Sequence, residues 1–376
     1  MQQRTKSYSI LIVDDAQENV DILERLLRSE HFIVHKSYSA AEARDILVSQ
    51  DIDLILLDVN MPVQDGYSFC KELREIDRFK LLPIIFITAV DRETGFQEAI
   101  KNGGDDFVSK PFNKKELMAK IRAFIRTKSL QDQLLFEKTR YEKELKAARK
   151  VQEQLIPLKT LEWYDIQAST YFHPLFQIGG DFVDIWIENN LLHAVIADCS
   201  GHGPSAALVG VIFKMQLMHT KYGDPLKDKV ESLRNSLKGI LPEDYFITFV
   251  YITVDKEGNM EYIKCGHPEP LVYYNGEVTS LPGRSPMIVD LDLKLKDSIC
   301  YTKLEKGTTV LLYTDGLIEA SNEKLEMLDT SGLSQVFKET IESNEDDLFR
   351  GIIQGVLDFC GTQSPEDDMA MICIKV

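Results

Sequence analysis

The chain has 376 residues, 44% of them hydrophobic, which is enough for two ordinary domain cores. Its formal net charge of −17 argues against a nucleic-acid partner or an anionic membrane surface, because phosphate groups demand a local excess of Lys and Arg. Met1 to Ser9 is polar and leads into an apolar run too short to target or span, and none of the six cysteines forms a CxxC pair. The expectation is a cytoplasmic protein with neither structural zinc nor a disulfide framework.

Residues 9–126 alternate short apolar runs with amphipathic stretches. Ser9 to Val13, Asp53 to Leu57 and Pro83 to Ile87 read as buried strands, and Val20 to Leu27 reads as a helix between them. This alternation predicts an α/β doubly wound fold with a parallel sheet. Strands covered on both faces are apolar throughout, as these are. In such a fold chemistry gathers where strands end at their carboxyl edges. Asp14 and Asp15 follow the first strand, Asp58 the third, Thr88 the fourth and Lys110 the fifth. All five therefore converge on one rim. Three carboxylates together repel one another unless a hard cation neutralises them, and oxygen-only ligands favour Mg²⁺. Asp58 is then the nucleophile toward a phosphoryl group, which Lys110 would hold by charge and Thr88 by a hydrogen bond. Any one of these Asp residues alone reads more simply as a turn former or helix cap. Five such residues in this order on one rim do not.

Val13-Asp14-Asp15, Leu57-Asp58-Val59-Asn60-Met61-Pro62, Ile87-Thr88-Ala89 and Lys110-Pro111-Phe112 resemble the motifs of bacterial two-component receiver domains. The resemblance covers residues 9–126 and implies a flavodoxin-like fold. It implies that Asp58 accepts phosphate from a sensor histidine kinase. Asp15 and Asp58 would ligate Mg²⁺, with Asp14 close by and the Asn60 backbone carbonyl as a further ligand. Phe107 stands where the family carries a switch aromatic.

No Gly or Pro occurs between Asn113 and Ile156, and Lys, Glu, Gln and Leu dominate. One long helix is predicted. Leu134, Tyr141, Leu145, Ala148 and Leu155 recur on one seam at spacings of three, four and seven, with Lys138 and Gln152 as polar interruptions. A parallel coiled coil joining two copies competes here with a solvated linker helix that has no partner. The expected division is a domain over 1–126, a helical linker over 127–157 and a second domain over 158–376.

The second domain reads mostly as strands with two or three helices. Tyr245 to Ile252 and Thr308 to Tyr313 are rich in β-branched and aromatic residues, and Pro204 to Thr220 reads as a helix with Pro in its first turn. Four carboxylate landmarks stand out: Gly179-Gly180-Asp181-Phe182, Asp198-Cys199-Ser200-Gly201-His202-Gly203, Tyr313-Thr314-Asp315-Gly316 and Glu366-Asp367-Asp368-Met369. They sit at strand starts and ends, where distant segments can gather at one edge of a sheet sandwich. Two divalent ions about 3.5–4 Å apart activate a water near neutral pH and offset the charge of a phosphate ester. With no Cys or His ligand required, Mn²⁺ or Mg²⁺ is favoured over Zn²⁺. Gly201 and Gly203 would allow close backbone approach or positive φ.

These four motifs resemble the PPM/PP2C phosphatases, in the branch that includes the stage II sporulation and stress-response phosphatases. Val151-Gln152-Glu153-Gln154-Leu155-Ile156-Pro157 and Cys265-Gly266-His267-Pro268-Glu269-Pro270-Leu271 match the same branch. The resemblance covers residues 148–376 and implies an α+β fold, a β-sandwich flanked by helices. It makes Asp198 the carboxylate bridging two Mn²⁺ or Mg²⁺ ions, with the Cys199 backbone carbonyl, Asp181 and Asp315 as further ligands. Asp367 and Asp368 both remain candidates, with Asp367 favoured. His202 is a candidate general acid, and His267 reads as structural. The implied activity is metal-dependent protein serine/threonine phosphatase. The implied substrate is a phosphoserine or phosphothreonine on a small anti-anti-sigma-type protein, an anti-sigma factor antagonist. Three other readings compete. A diguanylate cyclase needs an acidic residue where Phe182 stands. A DNA-binding regulator needs a helix-turn-helix or basic patch, which is not evident. A binding adaptor built on a dead phosphatase fold would have lost metal carboxylates that this chain keeps.

Overall fold

In the computed structural model, the described residues are 7–88, 92–220, 224–289, 298–343 and 347–376, without the side chains of 92–96. Ala89 of the third receiver motif and Met1 to Lys6 of the N-terminal segment lie outside them. The chain divides into two compact units, Met1–Arg140 and Tyr141–Val376.

The first unit runs β1 (Ser9–Val13), α1 (Gln17–Ser29), β2 (Ile33–Ser37), α2 (Ala40–Ser49), β3 (Leu54–Asp58), α3 (Gly66–Glu75), β4 (Ile84–Thr88), α4 (Arg92–Lys101) and β5 (Asp106–Ser109). The five strands form one parallel sheet in the order β2-β1-β3-β4-β5. β3 and β4 are buried at every position because helices cover both faces. One core packs Leu11, Ile55, Leu57 and Phe86 against Phe69 and Leu73 of α3. The other packs Ile10, Ile12, Leu54 and Ile85 against Val20 and Leu23 of α1 and Leu117 and Ile121 of α5. Strand order reverses between β1 and β3, so their carboxyl ends flank the crevice where this fold binds ligands. α5 is Lys114–Leu155, 42 residues without a break, as the lack of Gly and Pro predicts.

The second unit is a two-sheet sandwich. Its elements are β6 (Thr160–Trp163), β7 (Ile166–His173), β8 (Phe182–Glu188), β9 (Leu191–Cys199), α6 (Pro204–Met218), α7 (Leu226–Leu237), β10 (Phe246–Val254), β11 (Asn259–Cys265), β12 (Leu271–Tyr274), β13 (Glu277–Ser280), β14 (Ile288–Val289), β15 (Cys300–Lys303), β16 (Thr309–Tyr313), α8 (Asp329–Glu342), α9 (Leu348–Cys360) and β17 (Met369–Lys375). One sheet runs β15-β11-β10-β9-β8, with β14 on β10, and the other runs β13-β12-β16-β17-β7-β6. Both are antiparallel. The main core joins both sheets and the inner faces of α6 and α7, with Phe213 edge-on to Phe182 at 5.3 Å. A second core lies between β12, β16, β17 and the pair α8–α9. Four helices are described, one more than the sequence reading allowed. α9, LFRGIIQGVLDFC, mixes β-branched residues with two glycines, a composition of low helix propensity. A Cβ on Gly355 would come within 2.5 Å of the Val336 side chain, so that glycine lets α9 close on α8.

The β10–β11 hairpin turns at Gly258, whose φ is +82° and where a Cβ would lie 2.5 Å from the Leu304 carbonyl oxygen. Gly258→Ala should therefore destabilise the second unit by about 1–3 kcal/mol. A urea-unfolding midpoint equal to wild type would contradict this packing.

Candidate functional site

Two carboxylate groups stand out, one in each unit. In the first, β1 ends by delivering Asp14 and Asp15, and β3 ends on Asp58. One oxygen of each of these three lies within 4.8 Å of the others, and among the described residues this is the group drawn together so closely. Asp14 and Asp58 are buried, while Asp15 is exposed. Lys110, just after β5, donates from Nζ to Asp58 Oδ1 at 2.6 Å and to Asp14 Oδ2 at 2.9 Å. Asn19 and the Ala16 N–H hold Asp14 from the other side. Burial and the neighbouring Asp14 push the Asp58 carboxyl up, against the pull of Lys110. Desolvation opposes the charged form of Lys110, but its hydrogen bonds to Asp58 and Asp14 win and hold it above the ordinary ammonium range. Thr88 ends β4 fully buried, and Asn60 lies exposed two residues past Asp58. Gly66 opens α3 where a Cβ would strike the Asp58 carbonyl oxygen at 2.2 Å, so only glycine allows this close approach. An exposed carboxylate beside two buried ones and a lysine makes a site open to a hard cation and a phosphoryl group.

In the second unit, Asp198 is the penultimate residue of β9 and Asp315 follows β16 by two residues, opening a short 3-10 turn. Asp181 precedes β8, and Asp367 and Asp368 precede β17. Burial first, then Asp315, Asp367 and Asp368, push the Asp198 carboxyl up to about 7. Burial, Glu319 and Asp367 push Asp315 up to about 6. Asp181 is forced well above the carboxylate range by burial and by Asp198. Carboxylates so crowded are what a multivalent cation would relieve, and the donor set is oxygen only, which fits Mn²⁺ or Mg²⁺.

The two neighbouring aspartates differ. Asp368 is buried and commits both oxygens to backbone: Oδ1 accepts from Leu175 N–H at 2.8 Å and Oδ2 from Gly180 N–H at 2.6 Å. Asp367 is half-buried, and its Oδ1 accepts only the adjacent Asp368 N–H at 2.7 Å. Asp368 thus fastens the loop that carries Asp181, while Asp367 adds to the charge that raises Asp198 and Asp315. Thr314 was not singled out by the sequence reading. It is fully buried, donates to Asp181 Oδ2 at 2.6 Å and accepts the Ala370 N–H at 2.9 Å. A Cβ on Gly180 would stand 2.9 Å from the Cys199 carbonyl oxygen, and one on Gly316 only 2.0 Å from that of Asp368.

His202 is exposed in the loop before α6, its ring 5.4 Å from Phe176. Gly201 and Gly203 around it have φ of +93° and +73°. His267 is buried, bonded through Nδ1 to Thr248 at 2.8 Å, and burial pulls its imidazole down to about 3. That is the environment of a structural histidine.

A flavodoxin-like receiver and a PP2C-type sandwich thus occupy one chain. Residues 10–122 match the response regulator receiver domain, and residues 188–376 match stage II sporulation protein E (SpoIIE). The chain belongs to the SpoIIE family and carries a two-component receiver domain at its N-terminal side. Over 118 residues it is 38% identical to the transcriptional regulatory protein GltR of Pseudomonas aeruginosa, covering 31% of this chain and 49% of that one. Over 120 residues it is 37% identical to the regulatory protein VanR of Enterococcus faecium, covering 32% and 51%. The chain thus spans about half the length of the curated relatives it matches. The SiaA-PP2C domain of Pseudomonas aeruginosa is similar in fold, with a TM-score of 0.56 at 16% identity over 64% of this chain and 98% of that one. No helix among the described residues is long and apolar enough to cross a membrane.

The raised carboxyl of Asp198 has a consequence for stability. A carboxyl whose folded pKa lies above its unfolded value favours folding when protonated, and that contribution is lost as pH rises through the folded value. In chelator, Asp198→Asn should therefore be more stable than wild type. The gain should grow between pH 5 and pH 8 toward something on the order of 2–4 kcal/mol. A urea-midpoint difference that is flat over this range would contradict the crowding of these carboxylates.

Proposed function

We propose that the protein is a response regulator whose receiver controls a metal-dependent protein serine/threonine phosphatase. Asp58 is the phosphoacceptor for a sensor histidine kinase. Asp15, Asp58 and the Asn60 carbonyl hold Mg²⁺ beside Asp14, and Lys110 and Thr88 bind the phosphoryl oxygens. In the second unit Asp198, Asp315, Asp367, Asp181 and the Cys199 carbonyl would hold two Mn²⁺ or Mg²⁺ ions, which supply an activated water and offset the charge of a phosphate ester. Asp368, with both oxygens bonded to backbone, is assigned to positioning rather than to ligation. His202, exposed in the loop before α6, would serve as the general acid that protonates a leaving seryl oxygen. The observation that carries this reading is the crowding of Asp198 and Asp315, whose carboxyls are pushed toward neutral pH by burial and by neighbouring carboxylates, Asp367 among them for both. An adaptor that only binds would gain nothing from that cost. The substrate class is a phosphoserine or phosphothreonine protein of the anti-sigma factor antagonist type.

The linker favours a homodimer. Leu134 and Tyr141 of the seam are exposed along α5, and Leu130, Leu135 and Phe136 add to the uncovered apolar surface. A second α5 is the occupant this seven-residue spacing suits.

The protein should hydrolyse a generic aryl phosphate with Mn²⁺ and stop in chelator. Asp198→Asn and Asp367→Asn should each lower turnover by at least about 100-fold while remaining folded. Asp368→Asn, which keeps one carbonyl oxygen for the loop, should lose roughly tenfold, mainly through weaker metal affinity. Full turnover of Asp198→Asn would remove the metal reading.

Acetyl phosphate with Mg²⁺ should add one acid-stable, base-labile phosphoryl group, absent in Asp58→Ala. The same modification should raise phosphatase activity roughly 5–150-fold, the range of a coupling worth ~1–3 kcal/mol. A flexible Gly/Ser insertion after Arg140 should leave labelling and basal hydrolysis intact while abolishing that rise. A full response in the insertion mutant would reduce α5 to a tether.

A further inference from the structure

The last turns of α5 carry a polar residue where the seam calls for an apolar one. Gln152 is buried at 6% exposure, and its side-chain amide is fully engaged. Nε2 donates to the Gly179 carbonyl at 2.7 Å, and Oε1 accepts the Gly179 N–H at 3.4 Å. A single side chain thus takes both polar backbone groups of one residue. The next residue, Gly180, is held by Asp368, and the one after it is Asp181, held by Thr314. The same loop carries Phe176, which lies against His202. Gly179 itself has no slack, since a Cβ there would strike Asp368 Oδ2 at 2.3 Å.

We propose that Gln152 is a positioning residue through which α5 sets the place of the Gly179–Asp181 loop, and with it the metal-binding geometry of the phosphatase. This rests on the phosphatase reading above and names the contact by which that site is regulated. Asp368 and Thr314 fix the loop from strands of the sandwich, whereas Gln152 alone fixes it from the helix that begins in the receiver. Side-chain tips ride about 5–6 Å from a helix axis, so turning α5 by about 30° carries the amide roughly 3 Å. That distance breaks a hydrogen bond outright. A cavity of about 270 Å³ lined by Arg149, Gln152, Ile156 and Phe172 flanks the contact and leaves space beside the amide. The docked arrangement is the metal-competent one, and withdrawal of the amide releases the loop.

The test uses the full chain with Gln152→Glu, which loses the donor, and Gln152→Met, which keeps the volume and loses both bonds. Mn²⁺ binding is titrated by calorimetry in an Asp15→Ala background, so that the receiver site does not contribute. Both variants should bind Mn²⁺ at the phosphatase site about 10–100-fold more weakly, the usual effect of losing an outer partner of a metal site. With Asp15 intact, the same two variants should still be labelled at Asp58 by acetyl phosphate, yet show no rise in hydrolysis on labelling. Hydrogen exchange of the peptide 172–182 should slow on phosphorylation of the wild type and stay fast in both variants. Folded variants that bind Mn²⁺ and respond like wild type would overturn the proposal. Should either variant fail to fold, the wild-type exchange decides alone: activation without any change over 172–182 overturns it, and a change there supports it. Absence of Mn²⁺-dependent hydrolysis in the wild type would instead defeat the phosphatase reading, so the two failures are distinct.

Discussion

Like-charge repulsion between buried carboxylates is the constraint on which both halves of this protein are built. A carboxylate near another, with little water, resists ionisation. The chain nevertheless places Asp14, Asp15 and Asp58 on one rim, and sets Asp198 where Asp315 and Asp367 add to the burial that raises its carboxyl. The two halves meet the cost differently. In the receiver a built-in cation, Lys110, bonds two of the three carboxylates. In the phosphatase no lysine or arginine is bonded to Asp181, Asp198 or Asp315 among the contacts described, and Asp198 rises to about 7 instead. The first site keeps its own counter-charge, whereas the second has none among the contacts described.

Holding such groups in place falls to backbone, and the glycines show where. Gly66 lets α3 start against the Asp58 carbonyl, and Gly316 lets the turn after β16 pass the Asp368 carbonyl, with Cβ positions only 2.2 and 2.0 Å from those oxygens. At both places a strand end bearing an aspartate is locked by a neighbouring segment that has no side chain to keep it away. The carboxylates can then stay where repulsion would otherwise disperse them, because the surrounding cores have no room to yield.

The parts legible in sequence are those whose signal is local. β1, β3 and β4 announce themselves as unbroken apolar runs, and the reactive residues follow from where those runs stop. α5 is legible from what it lacks, and the glycine-flanked aspartates from their neighbours. The remainder depends on partners far along the chain. Thr314 meets Asp181 across 133 positions, and Asp368 meets Leu175 across 193. Neither Thr nor a second Asp carries a mark that distinguishes a clasp from an ordinary turn. Local sequence therefore ranks Asp367 and Asp368 without separating them. α9 depends on a distant partner too: Gly355 alone weakens the helix, and the Val336 side chain packs where a Cβ would stand.

Gln152 shows how a defect in one pattern can be the requirement of another. Read along the seam, it is a polar residue at a position that should bury carbon, and it weakens the case for self-association. Read against the sandwich, it is the residue that ties helix to loop. α5 thus changes character along its length. Leu117, Met118, Ile121 and Ile125 belong to the receiver core. Leu134 and Tyr141 lie uncovered in the middle, and Gln152 ends in backbone contacts. Isolated helices are marginal in water, and here the middle is braced by pairs such as Lys128–Asp132 and Gln133–Glu137. Such pairs are worth only tenths of a kcal/mol each. Leu130, Leu134 and Leu135 remain exposed along the helix, and the pairing proposed above would cover them. Pairing would then fix the rotation of α5 about its own axis. That rotation is the variable to which a side chain bonded at 2.7 Å is most sensitive.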